Sequence, residues 1–317
     1  MALERSRAAS ADGAGPAEWS ALLQRTSRTF ALTIPMLPEP LQTEVAVAYL
    51  LFRIIDTFED ATRWAPARRA EALTFFARLM DGERPIEARK TIAAWSLDPP
   101  LEHEGYLELL RSASEVIEWQ RRLSPAAGAH VARHVARSAR AMAEVVARTD
   151  RRGLLALQTL QELRDYCFAV AGLVGEMLTE LFLVQCPSLE AVAGDLRARS
   201  IEFGEALQLV NILKDAAADA AEGRAYLPAA VSPPEVFLLA RADLRRAIEY
   251  TELLRSGRAA PGVVAFNALN ARLAVGTLHL LRDKGAGAKL TRLRVMSIAA
   301  EVLLAAETGA PLFPESP

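Results

Sequence analysis

Cysteine is scarce in this chain. Cys167 and Cys186 are the only two in 317 residues, too few for a disulfide framework, and their apolar surroundings point to reduced, intracellular thiols. Aromatic side chains are few as well, 6% against 51% hydrophobic residues, and β-branched residues do not dominate. Alanine and leucine supply the apolar content instead, which argues for helices. No alternating pattern of useful length, repeat or low-complexity segment is present. Charge lacks a sign: a net charge of −2 and a pI near 6.2 give no global attraction to nucleic acid or anionic lipid. Long uncharged runs are missing too. The longest, Ala259 to Ala271, has 13 residues, short of the ~20 that span a bilayer. Residues 1–16 hold arginines without an apolar run, so they do not read as a secretory signal, and no Gly-rich dinucleotide fingerprint occurs. The expected location is cytoplasmic, with at most peripheral membrane contact.

Apolar residues at helical spacing run from Trp19 to about Ala306, broken by Pro and Gly at segments such as IPMLPEP (34–40), SLDPPLEHEG (96–105), GRAYLPAAVSPPE (223–235) and DKGAGAK (283–289). The expectation is one all-α domain of roughly ten helices over residues 19–308, with tails at 1–18 and 309–317.

Within this pattern, IIDTFEDA (54–61) places Asp56, Glu59 and Asp60 at i, i+3 and i+4, on one helical face. Tyr49 and Arg53 continue that face upstream, while Val45, Val47, Leu50, Leu51, Ile54, Ile55 and Phe58 surround it. A helix apolar nearly all round is buried, so its polar stripe must face a cavity, and buried carboxylates need a partner or a metal. The pattern recurs in LQLVNILKDAAADAAEGRAYLP (207–228), where Gln208, Asn211, Asp215 and Asp219 form a second stripe. A lone DxxED is often a salt-bridged surface; two stripes of one ligand chemistry have no cheap structural explanation. Oxygen donors without Cys or His suit Mg²⁺ (or Mn²⁺) better than zinc. Because Mg²⁺ favours one or two carboxylates plus phosphate oxygens, the cleft is expected to take a polyphosphate, with Arg28, Arg53, Lys214 and Arg224 balancing charge.

SRTF (27–30), YLLFRIIDTFEDA (49–61), YCFAVAGLVGEMLTELF (166–182) and LQLVNILKDAAADAAEGRAYLP (207–228) together resemble the squalene and phytoene synthase family, in order and spacing from about Ser27 to Val295. The resemblance implies an all-α isoprenoid synthase bundle with a central cavity. It also implies a soluble, Mg²⁺-dependent transferase joining two prenyl diphosphates head to head, farnesyl diphosphate giving presqualene diphosphate and then, by NADPH reduction, squalene. Asp56 and Asp60 match the first metal motif with Glu59 beside them, and Asp215 and Asp219 match the second, preceded by Gln208 and Asn211. Ser27, Arg28, Arg53 and Arg224, with Lys214, match diphosphate-gripping positions, and Tyr49 and Tyr166 match tyrosines near the reacting carbons. Phe266, Lys289, Arg292 and Arg294 are the NADPH candidates, and product release could bring peripheral membrane contact.

The chain departs from the family pattern at Ala218 (commonly glutamate), at Lys214 (commonly arginine) and at Asn270–Ala271 (commonly Pro-Gln). Ala169, Gly172 and Gly175 suit either a prenyl chain or close helix packing. The alternatives are a sister enzyme ending at dehydrosqualene, phytoene or presqualene diphosphate, then a class I terpene cyclase, then an inactive assembly protein. Retention of all four aspartates speaks against the last.

Overall fold

Helix starts and stops follow the Pro and Gly punctuation. The computed structural model describes residues 16–84, 86–149, 155–221, 224–314 and 317, the side chains of residues 16–18 and 224 excepted; the N-terminal tail expectation lies, through residue 15, outside them. α1 (Pro16–Thr26) and the single turn α2 (Phe30–Thr33) lead into α3 (Leu41–Glu59). Next come α4 (Pro66–Met80), α5 (Ala88–Leu97), α6 (Glu104–Arg111), α7 (Ala113–Arg122) and α8 (Pro125–Ala147). α9 (Leu160–Cys167) and α10 (Leu173–Gln185) flank a π turn at Phe168–Gly172. α11 (Ala193–Ala221), α12 (Pro233–Ser256), α13 (Pro261–Lys284) and α14 (Arg292–Thr308) complete the bundle. Pro66, Pro125, Pro233 and Pro261 sit where a missing N–H costs nothing. Thr159 with Glu162 and Ser232 with Glu235 close capping boxes on α9 and α12.

The all-α expectation holds, with fourteen α-helices among the described residues rather than about ten. The excess lies in short pieces at chain reversals, such as α2, α5, α6 and α7. β1 (Leu155–Ala156) and β2 (Arg224–Ala225) form one parallel pair, too short to register as a sequence pattern. In the region expected as a C-terminal tail, Leu312 is fully buried and Arg241 Nε donates to the Pro317 carbonyl at 2.8 Å. By length and hydropathy Leu160–Gln185 and Pro261–Lys284 would each suffice to cross a membrane, a property missed by counting only uncharged runs. Here α13 is mostly buried against α11, α12 and α14, and α10 packs on α8 and α11.

α3 is the most enclosed helix near the cleft: 14 of its 19 residues are buried, Leu50, Leu51, Ile54, Ile55 and Phe58 without exposure, each stabilising the fold by about 1.5–3 kcal/mol. The buried Arg69 of α4 donates to the Glu59 carbonyl and caps its C-terminal end. On the facing side, α10 and the π turn press backbone against α11. A Cβ on Gly175 would stand 1.9 Å from the Ser200 carbonyl oxygen, and one on Gly204 2.0 Å from that of Ala171. The small residues therefore serve close helix packing, and Gly175 also lines a cavity. In the π turn the Leu173 N–H reaches back to the Phe168 carbonyl, while Ser138 Oγ of α8 donates to the Ala169 carbonyl at 2.6 Å.

A buried charge group ties α9, α11 and α12 together. Arg164 Nη2 donates to Glu205 Oε2 at 2.8 Å, and nearby Asp243 keeps an Oδ2 with no hydrogen-bond partner. Burial, opposed by Arg164, pushes Glu205 from 4.5 up to about 7 and Asp243 from 3.8 up to about 6. The folded state thus holds protons that the unfolded chain has released. This stabilisation is complete below the ordinary carboxyl values and disappears as pH rises through about 6 to about 7. Denaturant unfolding from pH 4 to pH 8 should show a decline on the order of 2 kcal/mol, and Glu205→Gln should flatten much of it. A wild-type curve rising over this window contradicts the assignment.

Candidate active site

The polar stripe of α3 faces a cleft of about 490 Å³ whose opposite wall is the polar stripe of α11. Arg53, Asp56, Glu59 and Asp60 enter from one side and Gln208, Asn211, Lys214, Asp215 and Asp219 from the other. Separations of some 150 residues in sequence collapse to one wall-to-wall gap because α10 and α11 touch at glycine. α11 differs from the expected buried stripe: Asn211 is exposed and Lys214, Asp215 and Asp219 are half-buried. Its C-terminal half therefore forms the rim of an open cleft, whereas α3 lies deep.

Depth sets the electrostatics. Burial pushes the Asp56 carboxyl up to about 6; Arg53, with Nη1 3.5 Å away, pulls it down and Asp60 pushes it further up. The Arg53 guanidinium lies 5.7 Å from the ring centre of Tyr49 and 5.3 Å from that of Tyr106 on α6, and its buried Nε has no partner. That leaves a donor of a permanent cation unspent. On the rim, Lys214 Nζ donates to Asn211 Oδ1 at 3.0 Å and lies 3.2 Å from Asp215 Oδ2. Tyr166 is buried and stacks on Tyr226 with ring centres 4.7 Å apart. Burial first, then the negative field of Glu59, holds its hydroxyl well above the ordinary tyrosine range, so Tyr166 stays a neutral phenol.

Behind the cleft lies an apolar cavity of about 200 Å³, and the two share Arg53, Asp56, Val170, Gln208 and Asn211. Phe30, Ile34, Phe52, Met177, Phe203 and Phe266 are among its lining residues, with Tyr49, whose OH donates to the Thr26 carbonyl at 2.9 Å. Asn270 also lines it, its Nδ2 donating to the Phe266 carbonyl at 2.9 Å.

Of the expected residues, the carboxylates with Arg53, Gln208, Asn211, Lys214 and Tyr166 come together in the cleft, and Tyr49 and Phe266 in the cavity beside it. Ser27 and Arg28 line neither: Ser27 Oγ accepts from the Phe30 N–H at 2.9 Å, and Arg28 is exposed. Arg224 is in β2, its side chain outside the described residues. Lys289 and Arg292 are exposed and line neither, and Arg294 borders a separate small cavity with Arg272. Tyr106 and Tyr226 were missed. The chain has only five tyrosines, four of which line the cleft or the cavity, so their scarcity was a usable signal.

Among the described residues no three acidic, His or Cys side chains converge tightly enough to hold a metal ion alone. The donor set is all oxygen, and it fits a divalent ion that completes its coordination with ligand phosphates. The unspent Arg53 Nε fits the same anion.

The comparisons with known proteins agree on a family. The squalene/phytoene synthase family model matches residues 23–232. Squalene synthase of Eremothecium gossypii is 30% identical over 207 residues, which is 65% of this chain and 44% of that protein. Squalene synthase ERG9 of Saccharomyces cerevisiae is 28% identical over 210 residues, 65% of this chain and 44% of that protein. The matched stretch is thus less than half the length of these curated relatives. Among solved structures, TcSQS in complex with a ligand superposes with a TM-score of 0.75 at 23% identity, covering 91% of this chain and 87% of that one. A ligand-bound dehydrosqualene synthase gives 0.51 at 17% identity over 92% and 96%.

Calorimetry with inorganic pyrophosphate should show binding that requires Mg²⁺. Asp56→Ala or Asp219→Ala should weaken it by at least about tenfold, ~1.4 kcal/mol. Neither change should lower the melting temperature, since Asp56 is a half-buried charge beside Asp60 and Asp219 is a half-buried residue of the cleft rim. Metal-independent binding, or unchanged affinity in both variants, contradicts a shared ion–diphosphate site.

Proposed function

This chain belongs to the squalene/phytoene synthase family, and from that premise we propose that it is a prenyltransferase condensing two farnesyl diphosphates head to head, through presqualene diphosphate, to squalene. One observation carries the reading: an acidic cleft and an apolar cavity share a wall at Arg53, Asp56, Val170, Gln208 and Asn211. That is the shape an amphiphile with a charged head and a hydrocarbon tail requires.

Mg²⁺ bound by Asp56, Asp60, Asn211, Asp215 and Asp219 would supply Lewis-acid stabilisation of the leaving diphosphate. Arg53 offers that diphosphate its free Nε beside the rings of Tyr49 and Tyr106, with Lys214 on the rim and Arg224 as a further grip. The apolar lining excludes water from an allylic cation. Tyr49 and Tyr166 present ring faces near it. Tyr166 Oη, a neutral phenol beside the Tyr226 ring, can take up a proton from substrate carbon only by handing its own on, so it acts as a relay. Tyr166→Phe should lower turnover by roughly 10²-fold with little change in KM; normal turnover with a failing Tyr166→Ala would leave only the ring role.

The reductive end of the reaction, with NADPH, is supported by Phe266 in the cavity wall and by the 285–291 turn. Its Gly287 N–H donates to the Lys214 carbonyl at 2.9 Å, bringing the turn that carries Lys289 to the rim. Non-reductive closure to dehydrosqualene is favoured by the absence of Lys289, Arg292 and Arg294 from either cavity wall. Mass spectrometry of products from farnesyl and geranylgeranyl diphosphate with Mg²⁺, with and without NADPH, decides. Squalene formed only with NADPH is the expected result. The same C30 product in both conditions overturns the reduction, and no condensation product overturns the whole reading.

A further inference from the structure

α6 carries neither acidic stripe, yet it brings Tyr106 to the wall of the cleft. The helix is fixed on the side away from the cleft. Leu109 and Leu110 are fully buried, and a Cβ on Gly105 would collide with the Arg25 carbonyl oxygen of α1. The Arg25 side chain also pairs with Glu108. His103 stacks on the Tyr106 ring with centres 4.0 Å apart, and the Tyr106 N–H donates to His103 Nδ1 at 3.4 Å. Glycine thus lets α6 close on α1, and the residue after it is held against α3.

Hydrogen bonds hold the Arg53 guanidinium only loosely. Its Nη1 is 3.5 Å from Asp56 Oδ2, too far for a strong bond, and its Nε has no partner among the described residues. Two rings lie within the ~6 Å at which an aromatic face attracts a cation, Tyr106 at 5.3 Å and Tyr49 at 5.7 Å. Tyr49 sits one helical turn away on α3, tied through its OH to the Thr26 carbonyl. Tyr106 is the nearer ring, and it comes from another helix. A carboxylate orients a guanidinium by occupying its N–H donors; a ring attracts the charge and leaves the donors free for a ligand. We propose that Tyr106 is a positioning residue, its ring holding the Arg53 guanidinium at the cleft wall ready for a ligand diphosphate. The inference deepens the proposed function and rests on its reading of Arg53 as a diphosphate grip.

Calorimetry of the full chain with Mg²⁺ and inorganic pyrophosphate tests it, because that probe reads the grip without the condensation. Tyr106→Phe keeps the ring and should bind within about twofold of wild type, whereas Tyr106→Leu should weaken binding about fivefold or more. Phenylalanines with an increasing number of ring fluorines in place of Tyr106 keep the shape and weaken the negative ring face. Affinity should fall stepwise along that series while the melting temperature stays constant. In an Arg53→Ala background, Tyr106→Leu should add no further loss. Unchanged affinity in Tyr106→Leu, or a flat fluorine series, makes the ring a space filler and overturns the proposal. Equal losses in Tyr106→Phe and Tyr106→Leu overturn it as well, by assigning the effect to the hydroxyl. These outcomes leave the condensation reading standing, whereas a wild type that binds no pyrophosphate with Mg²⁺ removes the grip and both readings with it.

Discussion

Like charges facing one another in a partly dry cleft are the constraint on which the rest of the molecule depends. Asp56, Glu59 and Asp60 on a buried helix look across at Asp215 and Asp219, and repulsion between them rises as water is removed. Part of the tension is met within the protein, by Arg53 beside Asp56 and by Lys214 beside Asp215. The remainder suits a divalent cation that brings its own anion. The folded protein is thus a poor closed cage and a good half-site.

Holding such a half-site open requires rigid walls, which come from apolar packing away from the carboxylates. α3 buries its aliphatic sides completely, and α10 with the preceding π turn approaches α11 so closely at Gly175 and Gly204 that a methyl group would collide with backbone. That contact fixes the rotation of α11 and aims its polar stripe at α3. The Arg164–Glu205 pair adds a second tie two residues from Tyr166, at the cost of burying carboxyls whose titration is pushed up to about 7 at Glu205 and about 6 at Asp243.

The seam between cleft and cavity joins these two halves. Arg53 and Asp56 belong to both spaces, so a bound amphiphile would change from charge contacts to hydrocarbon contacts within the reach of one side chain. Tyrosine suits this boundary, since it combines an apolar body with a polar tip. Four of the five in the chain stand there.

By itself the sequence determined the helical class, the two oxygen-bearing stripes and the carboxylates, Arg53, Gln208, Asn211 and Lys214 that meet in the cleft. Each is recorded in local periodicity: a polar face at i, i+3, i+4 and i+7 on an otherwise apolar helix states its own destination. Tertiary structure alone decided which side chains converge across long separations. Tyr106 joined Arg53, and Tyr226 joined Tyr166, because of where α6 and the β1–β2 pair come to rest. Ser27 and Arg28 stayed out of both walls, and the glycines proved to be contact points between backbones. Periodicity reports which face of a helix avoids water, but the partner of that face is chosen by crossing angles and interaxial distances set by packing.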